Sequence, residues 1–524
     1  MKTVDRVSRR AGRRREQKAA APAEARFAGI RYSLWRRAIL WMMLVVFARY
    51  YYWIVRPDPS QPLREIGLYS LLTDAFRHGQ ASLTLAPAPQ LLALPDPYDP
   101  VQNAPYRIHD ASLYKGRYYI YFGPAPVISL YLPYLLVTGE FLPDRIGTWV
   151  FATAAYGMAC LLLKLLLARW WPQLPRWMFY FLCGCLGFSN IFPFLLRRPA
   201  VYETAIAAGQ FFVLLALYAI ARSAFDLKHP LVMAAVGGAA LAGAFGSRPQ
   251  LVLAAVAFGW FLVLGKSVPL RDRLQRMVAA LIPFAVGMAL LLFYNYARFG
   301  SPLEFGQHYQ LAGSNITRLQ EYFSISRLTK NLWFDLLEPP RLRSQFPFVI
   351  LAPNPPFHIP KDFLQPELVA GILWMSPLLL LLAAAPLVWK KIEPARRLEW
   401  AVCTGTLVFL GVAWLSVVGM LASTMRYEVD FATVLFVAAA AVIAGFSERY
   451  RPRMQAWVYR SVVALGLFGV VVNGAIGMTG YYDNFRMEAP AEYQRLAEWF
   501  NPVSKVLAWC GVPADWKPAP EVRR

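Results

Sequence analysis

The sequence predicts an all-α polytopic membrane protein of about 11 transmembrane helices, N-terminus inside and C-terminus outside, with amphipathic juxtamembrane helices in the first outer loop. Three observations predict it. The 524 residues are 57% hydrophobic and 16% charged, whereas an average soluble domain carries about 25% charged residues. The apolar residues gather in windows of roughly 18–24 residues, enough for a helix to cross a hydrocarbon core of about 30 Å. Lys and Arg collect in alternate connections between those windows, as they do in cytoplasmic loops. A soluble multidomain enzyme and a disordered chain are both excluded.

The predicted spans are about 38–55, 146–168, 177–196, 204–221, 231–247, 249–265, 277–296, 367–389, 399–421, 431–446 and 460–479. The fifth and sixth are separated only by Gly246, Ser247, Arg248 and Pro249. A further apolar run, Tyr121–Val137, is shorter and holds Pro124, Pro126 and Pro133. It reads as an interfacial or re-entrant segment, with a full span as the alternative.

Charge sets the orientation. The segment 1–37 has 12 basic and 3 acidic residues, and the loops 169–176, 222–230, 266–276, 390–397 and 447–460 add 16 basic and 4 acidic. Together they hold +21 of the net +23. Counting 121–137 as a span would put the basic loops outside. The arginines at 9, 10 and 13–15 read as a juxtamembrane tail that touches anionic lipid, not as a nucleic-acid arm. No small-residue cleavage site follows the first span, so a cleaved signal peptide is not expected. Four of the five cysteines lie in apolar windows and Cys510 in the tail, which gives neither a disulfide framework nor a zinc site.

The chain therefore divides into a basic cytoplasmic tail (1–37), a membrane catalytic module (38–296) with a first outer loop (56–145), an outer loop with surface helices (297–366), C-terminal transmembrane helices (367–479) and an outer-face tail (480–524). The expected location is the inner (plasma) membrane, multi-pass, with the site facing the periplasm or cell exterior. In the first outer loop, apolar residues at 66, 68, 71, 72, 75 and 76 follow helical spacing and Gly79 supplies a stop, predicting a short amphipathic helix on the membrane surface. Lys115-Gly116-Arg117 reads as a turn with two exposed cations. Arg248 and the cluster Arg426, Glu428 and Asp430 stand at outer span ends. Ionisable residues at such depth are costly and usually face a cavity or a partner, although interfacial anchoring is the plainer alternative.

Four features resemble the GT-C superfamily of membrane glycosyltransferases, such as the protein O-mannosyltransferases and lipid A aminoarabinose transferases. Glu65 follows the first span and is separated from Gly79 by a surface helix. Gly116-Arg117-Tyr118-Tyr119 precedes Gly-Pro-Ala-Pro at 123–126 and an apolar run ending at Gly139. The short outer loop Arg197-Arg198-Pro199-Ala200-Val201-Tyr202-Glu203 is similar to the superfamily's second acidic position. Arg426-Tyr427 stands at a late outer span end. The resemblance implies transfer of a hexosyl or pentosyl group from a polyprenyl-phosphate donor to an envelope glycan, lipid or protein hydroxyl, with inversion and without a metal or other cofactor. The partners are then that donor and the lipid bilayer, with no nucleic acid.

An alcohol acceptor needs a base within hydrogen-bond reach, and the departing phosphate needs fixed cations. The catalytic candidates are Glu65 and Glu203, each with a helix-start role as the alternative. Asp58 and Asp74 are rival acids. The phosphate candidates are Arg248 and Arg426, then Lys115, Arg117, Arg197 and Arg298. His308 is a second base candidate or a surface histidine. No carboxylate cluster suggests a divalent metal. A polysaccharide polymerase or ligase of the O-antigen type would instead use Arg298 and His308. A transporter would show internal repeats, and none is visible. A non-catalytic envelope assembly protein would tolerate loss of the carboxylates. The charge count predicts that reporter fusions after Lys228, Arg276 and Arg397 report cytoplasm, and that fusions near Asn315 and the C-terminus report the outer side. An outer-side signal at Arg276 overturns the orientation.

Overall fold

The structure, a computed structural model, describes residues 34–60, 66–266, 268–317, 323–359, 363, 366–447 and 452–514. Among the described residues, eight helices are long and apolar enough to cross a membrane. They lie in α1 (Leu34–Val55), α3 (Asp144–Trp170), α4 (Arg176–Ser189, continuing to Leu195 through a second short helix), α5 (Val201–Ala224), α7 (Leu270–Phe299), α9 (Pro394–Gly419), α10 (Glu428–Gly445) and α11 (Pro452–Thr479). Between them come α2 (Leu68–Arg77), α6 (Pro230–Phe245) and α8 (Ile325–Leu336). The described sheet is confined to two two-stranded antiparallel ladders, β1 (Ser112–Tyr114) with β2 (Arg117–Tyr119), and Arg341–Leu342 with Val349–Ile350.

Three of the eleven predicted spans are shorter apolar helices: α6, Pro249–Val263 and Pro377–Trp389. Proline opens each of them, and two are largely 3₁₀, over Pro249–Gly259 and Pro377–Ala384. A 3₁₀ turn rises about 2.0 Å per residue against 1.5 Å for α. Pro249–Val263 therefore reaches roughly 28 Å, close to the thickness of a hydrocarbon core. Trp414 Nε1 ties it to α9 by donating to the Gln250 carbonyl (3.0 Å), and Trp260 Nε1 donates to Thr406 Oγ1 (3.0 Å). The run at 121–137 forms a π turn at Val127–Tyr131 and then Leu132–Thr138, closed by Gly139 in the left-handed region.

The loops expected on one side contact one another. Arg169 makes a bidentate pair with Glu399 (Nε and NH2, both 3.0 Å) and lies over the Phe225 ring (5.1 Å). Arg276 donates to Asp226 (2.6 Å) and to the Ser223 carbonyl (2.8 Å). Trp177 packs on Tyr459 (5.6 Å). At the opposite end, Arg197 Nε donates to the Gly477 carbonyl (2.5 Å) and NH1 to that of Ile54 (3.1 Å), bolting α1 to α11. Every residue of α10 is buried, so this helix is the axis on which the other spans pack. Its polar residues are confined to its first six positions.

Two sequence readings change in detail. The first-loop helix starts at Leu68, behind Gly67. It also lies under protein: Tyr69, Leu72 and Ala75 are buried, Ser70 Oγ donates to the Leu142 carbonyl (2.8 Å), and Ile66 is left exposed. Its apolar face meets the Tyr131 region instead of the bilayer, because Tyr131 packs on Tyr69 at 5.7 Å. The Lys115-Gly116 turn forms as read. Both residues have positive φ (47° and 69°), as a two-residue hairpin of the right twist requires.

Small residues allow the closest approaches. Gly238 on α6 meets the Ala280 carbonyl of α7, and Gly123 lies against the Gly246 carbonyl at the end of α6. The Ala125 N–H donates to that same carbonyl (3.0 Å). A Cβ at position 123 has no room, since its neighbour is backbone. Gly123→Ala is expected to destabilise the protein by about 1–3 kcal/mol, the usual cost of overpacking. A thermal-shift measurement in detergent checks it, with surface Gly116 left unchanged.

Candidate active site

Segments far apart in sequence converge at the end opposite the basic loops. A cavity of about 560 Å³ opens there. Arg248, Gln250 and Tyr427 line one part of it, Tyr121, Phe122 and Tyr202 another, and Phe305, Gln307 and His308 a third. Val417, Val418, Leu421 and Phe323 give it an apolar wall.

Arg248 stands where it does because α6 stops at Phe245 and Pro249 starts a new helix, leaving Arg248 extended between them. It is buried and pairs with Asp430 on α10 at 3.0 Å. The Gln250 amide sits beside both. In one orientation it donates to Asp430 (3.3 Å), and turned over its oxygen accepts from Arg248 Nε and NH2 at 2.7 and 2.6 Å. The Tyr427 ring lies 5.3 Å from the Arg248 guanidinium and 5.6 Å from that of Arg426. Arg426 is buried over the Tyr202 ring (4.5 Å), 3.0 Å from Glu367 and 3.9 Å from Glu203. Glu203 also faces Arg198 (3.6 Å) and accepts from the Ala200 N–H at its own helix start (3.3 Å). The two long loops, 56–145 and 297–366, meet alongside: Asp110 N–H donates to the Leu311 carbonyl (3.0 Å), Leu311 N–H to that of Ala111 (2.9 Å), and Gln310 Nε2 to Asp110 (2.8 Å) and Tyr202 (3.2 Å).

The sequence candidates separate accordingly. Arg248, Arg426 and Glu203 come together, although only Arg248 lines the cavity. Lys115 and Arg117 are exposed at the hairpin tip, and Lys115 stands over Tyr114 (5.2 Å). Arg197 lies between the Trp53 and Phe485 rings (5.2 and 4.4 Å), and burial lowers its pKa to about 10. Arg298 donates to the Ile120 carbonyl (2.5 Å) and Asn295 (2.6 Å) and packs on Tyr294. Both arginines act as struts, each donating to backbone carbonyls of neighbouring segments and standing outside the cavity lining. Asp58 accepts from Ser60 N–H (2.9 Å) and Oγ (2.6 Å), closing a turn, and Asp74 faces His78 (3.4 Å) one helical turn on. Glu65 lies outside the described residues. Sequence reasoning missed Tyr202, Gln250 and Asp110 as parts of the site, and Tyr427 as the ring shared by two arginines. Their signal was adjacency, since Tyr202 precedes Glu203 and Tyr427 follows Arg426.

Among the described residues no group of three or more His, Cys, Asp or Glu side chains is arranged to hold a metal. All five cysteines are free, four of them buried.

No protein family and no curated protein matches the sequence. Among solved structures the chain is similar to the oligosaccharyltransferase of Archaeoglobus fulgidus in its apo form, at 12% identity and a TM-score of 0.46, over 88% of this chain and 56% of that one. It is also similar to the oligosaccharyltransferase AglB of the same organism in complex with an inhibitory peptide and a dolichol-phosphate, at 12% identity and a TM-score of 0.42, over 89% and 60%. The chain thus spans less than two thirds of either structure.

One pair of acids behind the site stands apart. Glu428, at the start of α10, has no hydrogen-bond partner for either carboxylate oxygen among the described residues. Asp335 on α8 acts on it electrostatically. Burial raises the Asp335 pKa from 3.8 to about 8, only partly offset by a hydrogen bond with Ser423. Folding therefore takes up a proton between those two values, and the stability this contributes is lost as pH rises through about 8. The parent's melting temperature is expected to fall from pH 5, inside that window, to pH 9, about one unit above it, and Asp335→Asn to flatten that slope. Melting curves across pH check it.

Proposed function

We propose that this chain is an integral membrane glycosyltransferase of the GT-C kind, moving a sugar from a polyprenyl-phosphate donor to a hydroxyl of an envelope glycan, lipid or protein on the outer face of the membrane. The lining of the cavity carries this reading. An apolar wall of Val417, Val418, Leu421 and Phe323 stands with a buried guanidinium, Arg248, and the amides of Gln250 and Gln307. That mixture suits a ligand with an isoprenoid tail and an anionic head. The motif order around Gly116–Gly139 and Arg197–Glu203 supports the same class.

Leaving-group charge is then met by Arg248, which Asp430 holds in place, while Arg426 shapes the wall by fixing Tyr202 and Tyr427. No paired general acid is needed, since a phosphate ester departs readily, in contrast to glycoside hydrolysis. A single displacement inverts the anomeric carbon, and the residues around the cavity carry it out without a metal. An O-antigen-type polymerase or ligase shares the donor chemistry and is the second reading, favoured by the presence of His308, from the later loop, in the cavity.

Arg248→Ala is expected to lower transfer by about 10²–10³. Arg248→Lys should recover only part of it, because an ammonium lacks the planar fork. The measurement is sugar transfer by purified protein in nanodiscs from polyprenyl-phosphate donors, with a melting curve as the folding control. Parental turnover in a folded Arg248→Ala variant overturns the phosphate assignment.

A further inference from the structure

Among the described residues fourteen line the cavity, and those of them that titrate are Arg248, His308 and three tyrosines, at 121, 202 and 427. Near neutral pH an arginine and a tyrosine are already protonated and accept no proton. Of the described carboxylates nearby, Glu428 is buried behind Tyr427 and does not line the cavity, and the others are engaged elsewhere. Asp430 holds Arg248, Glu203 faces Arg198 and Arg426, Glu367 takes Thr424 and Arg426, and Asp110 takes Gln310. An imidazole is left.

That imidazole is held. His308 Nδ1 lies 2.8 Å from Glu304 Oε2. Glu304 is fixed in turn, since its Oε1 accepts from the Gly306 N–H at 2.6 Å. Gly306 has φ +93°, which favours glycine, and its carbonyl accepts from Ser112 Oγ (2.8 Å), tying the turn to the first-loop hairpin. An ionised carboxylate only accepts hydrogen bonds, so Nδ1 carries the hydrogen and Nε2 keeps its lone pair. His308 is also part-exposed, with 40% of its side-chain surface accessible, so it can release a proton to water after each turnover. The other charged or titratable groups around the pair are Arg248 with Asp430, Tyr202 and Tyr427 in the cavity wall, and Arg298 and Tyr309 beside Glu304.

We infer that His308, oriented by Glu304, is the base that takes the proton from the acceptor hydroxyl, in the role the sequence suggested for Glu65. The role rests on the glycosyl-transfer reading. As the acceptor oxygen bonds to the anomeric carbon, its proton passes to His308 Nε2. The bond from that carbon to the phosphate oxygen breaks, its electron pair stays on the phosphate, and Arg248 meets the added charge. The products are the glycosylated acceptor, the polyprenyl phosphate and an imidazolium paired with Glu304.

The test uses the full-length protein in nanodiscs with a polyprenyl-phosphate sugar it transfers. His308→Ala is expected to lower kcat by on the order of 10²–10⁴, the usual worth of a positioned base. The donor KM should stay near the parental value, and added imidazole should restore part of the rate. Glu304→Gln keeps the imidazole but loses the carboxylate that orients it. It should therefore lower kcat while the donor KM stays near the parental value, a split that a purely structural Glu304 would not produce. A parent that transfers sugar while folded His308→Ala matches its rate, or a folded Glu304→Gln variant with the parental kcat, overturns the role alone. A parent that transfers sugar from no polyprenyl-phosphate donor overturns the glycosyl-transfer reading and this role with it.

Discussion

The end of the bundle that holds the cavity depends on two buried guanidinium groups, each paired with carboxylates beside the start of one wholly buried helix. Arg248 reaches Asp430, and Arg426, just before α10, reaches Glu367 and Glu203. Taking such charges from water costs several kcal/mol per ion, and mutual pairing offsets that cost only with close geometry. Removing one partner would strand the other, at about 3–5 kcal/mol. These pairs therefore fix where α5, α10, the segment at Glu367 and the Arg248 turn meet, and with them the cavity wall. The Tyr427 ring between the two arginines adds cation–π attraction to both.

A contrast runs along α10. Beyond Thr433 the helix is apolar on every face, as a helix surrounded by other helices must be. All of its polarity sits in the first turns, where the helix dipole is positive and carboxylates are favoured. The same helix is thus an inert axis at one end and an electrostatic anchor at the other. The opposite end of the bundle is held by one bidentate pair, Arg169 with Glu399, and by arginines that donate to carbonyls.

Much of the fold was legible because membrane spans are written locally: length, apolarity and flanking charge suffice. The predicted spans 146–168, 204–221, 277–296 and 460–479 fall inside α3, α5, α7 and α11. The 3₁₀ character of Pro249–Gly259 was not legible, since an apolar run looks the same at either pitch. The site was legible only in part. Arg248 was visible as a lone cation at a span end, and its partner Asp430 as an acid at another. That they touch is a tertiary fact, as is the use of Arg197 and Arg298 as struts. Charge pattern alone cannot tell an arginine that waits for a ligand from one that donates to a carbonyl.

The two long loops beside the cavity meet through paired backbone hydrogen bonds at Asp110, Ala111 and Leu311 and through the Gln310 side chain. That seam fixes which parts of the loops can change length. Insertions at the exposed hairpin tip, Lys115 to Arg117, leave its spacing alone. One residue gained or lost between Gly306 and Leu311 would shift Gln310 off Asp110 and turn His308 away from the cavity together. Across descendants of this sequence, the tip is free to drift while the seam must stay in register.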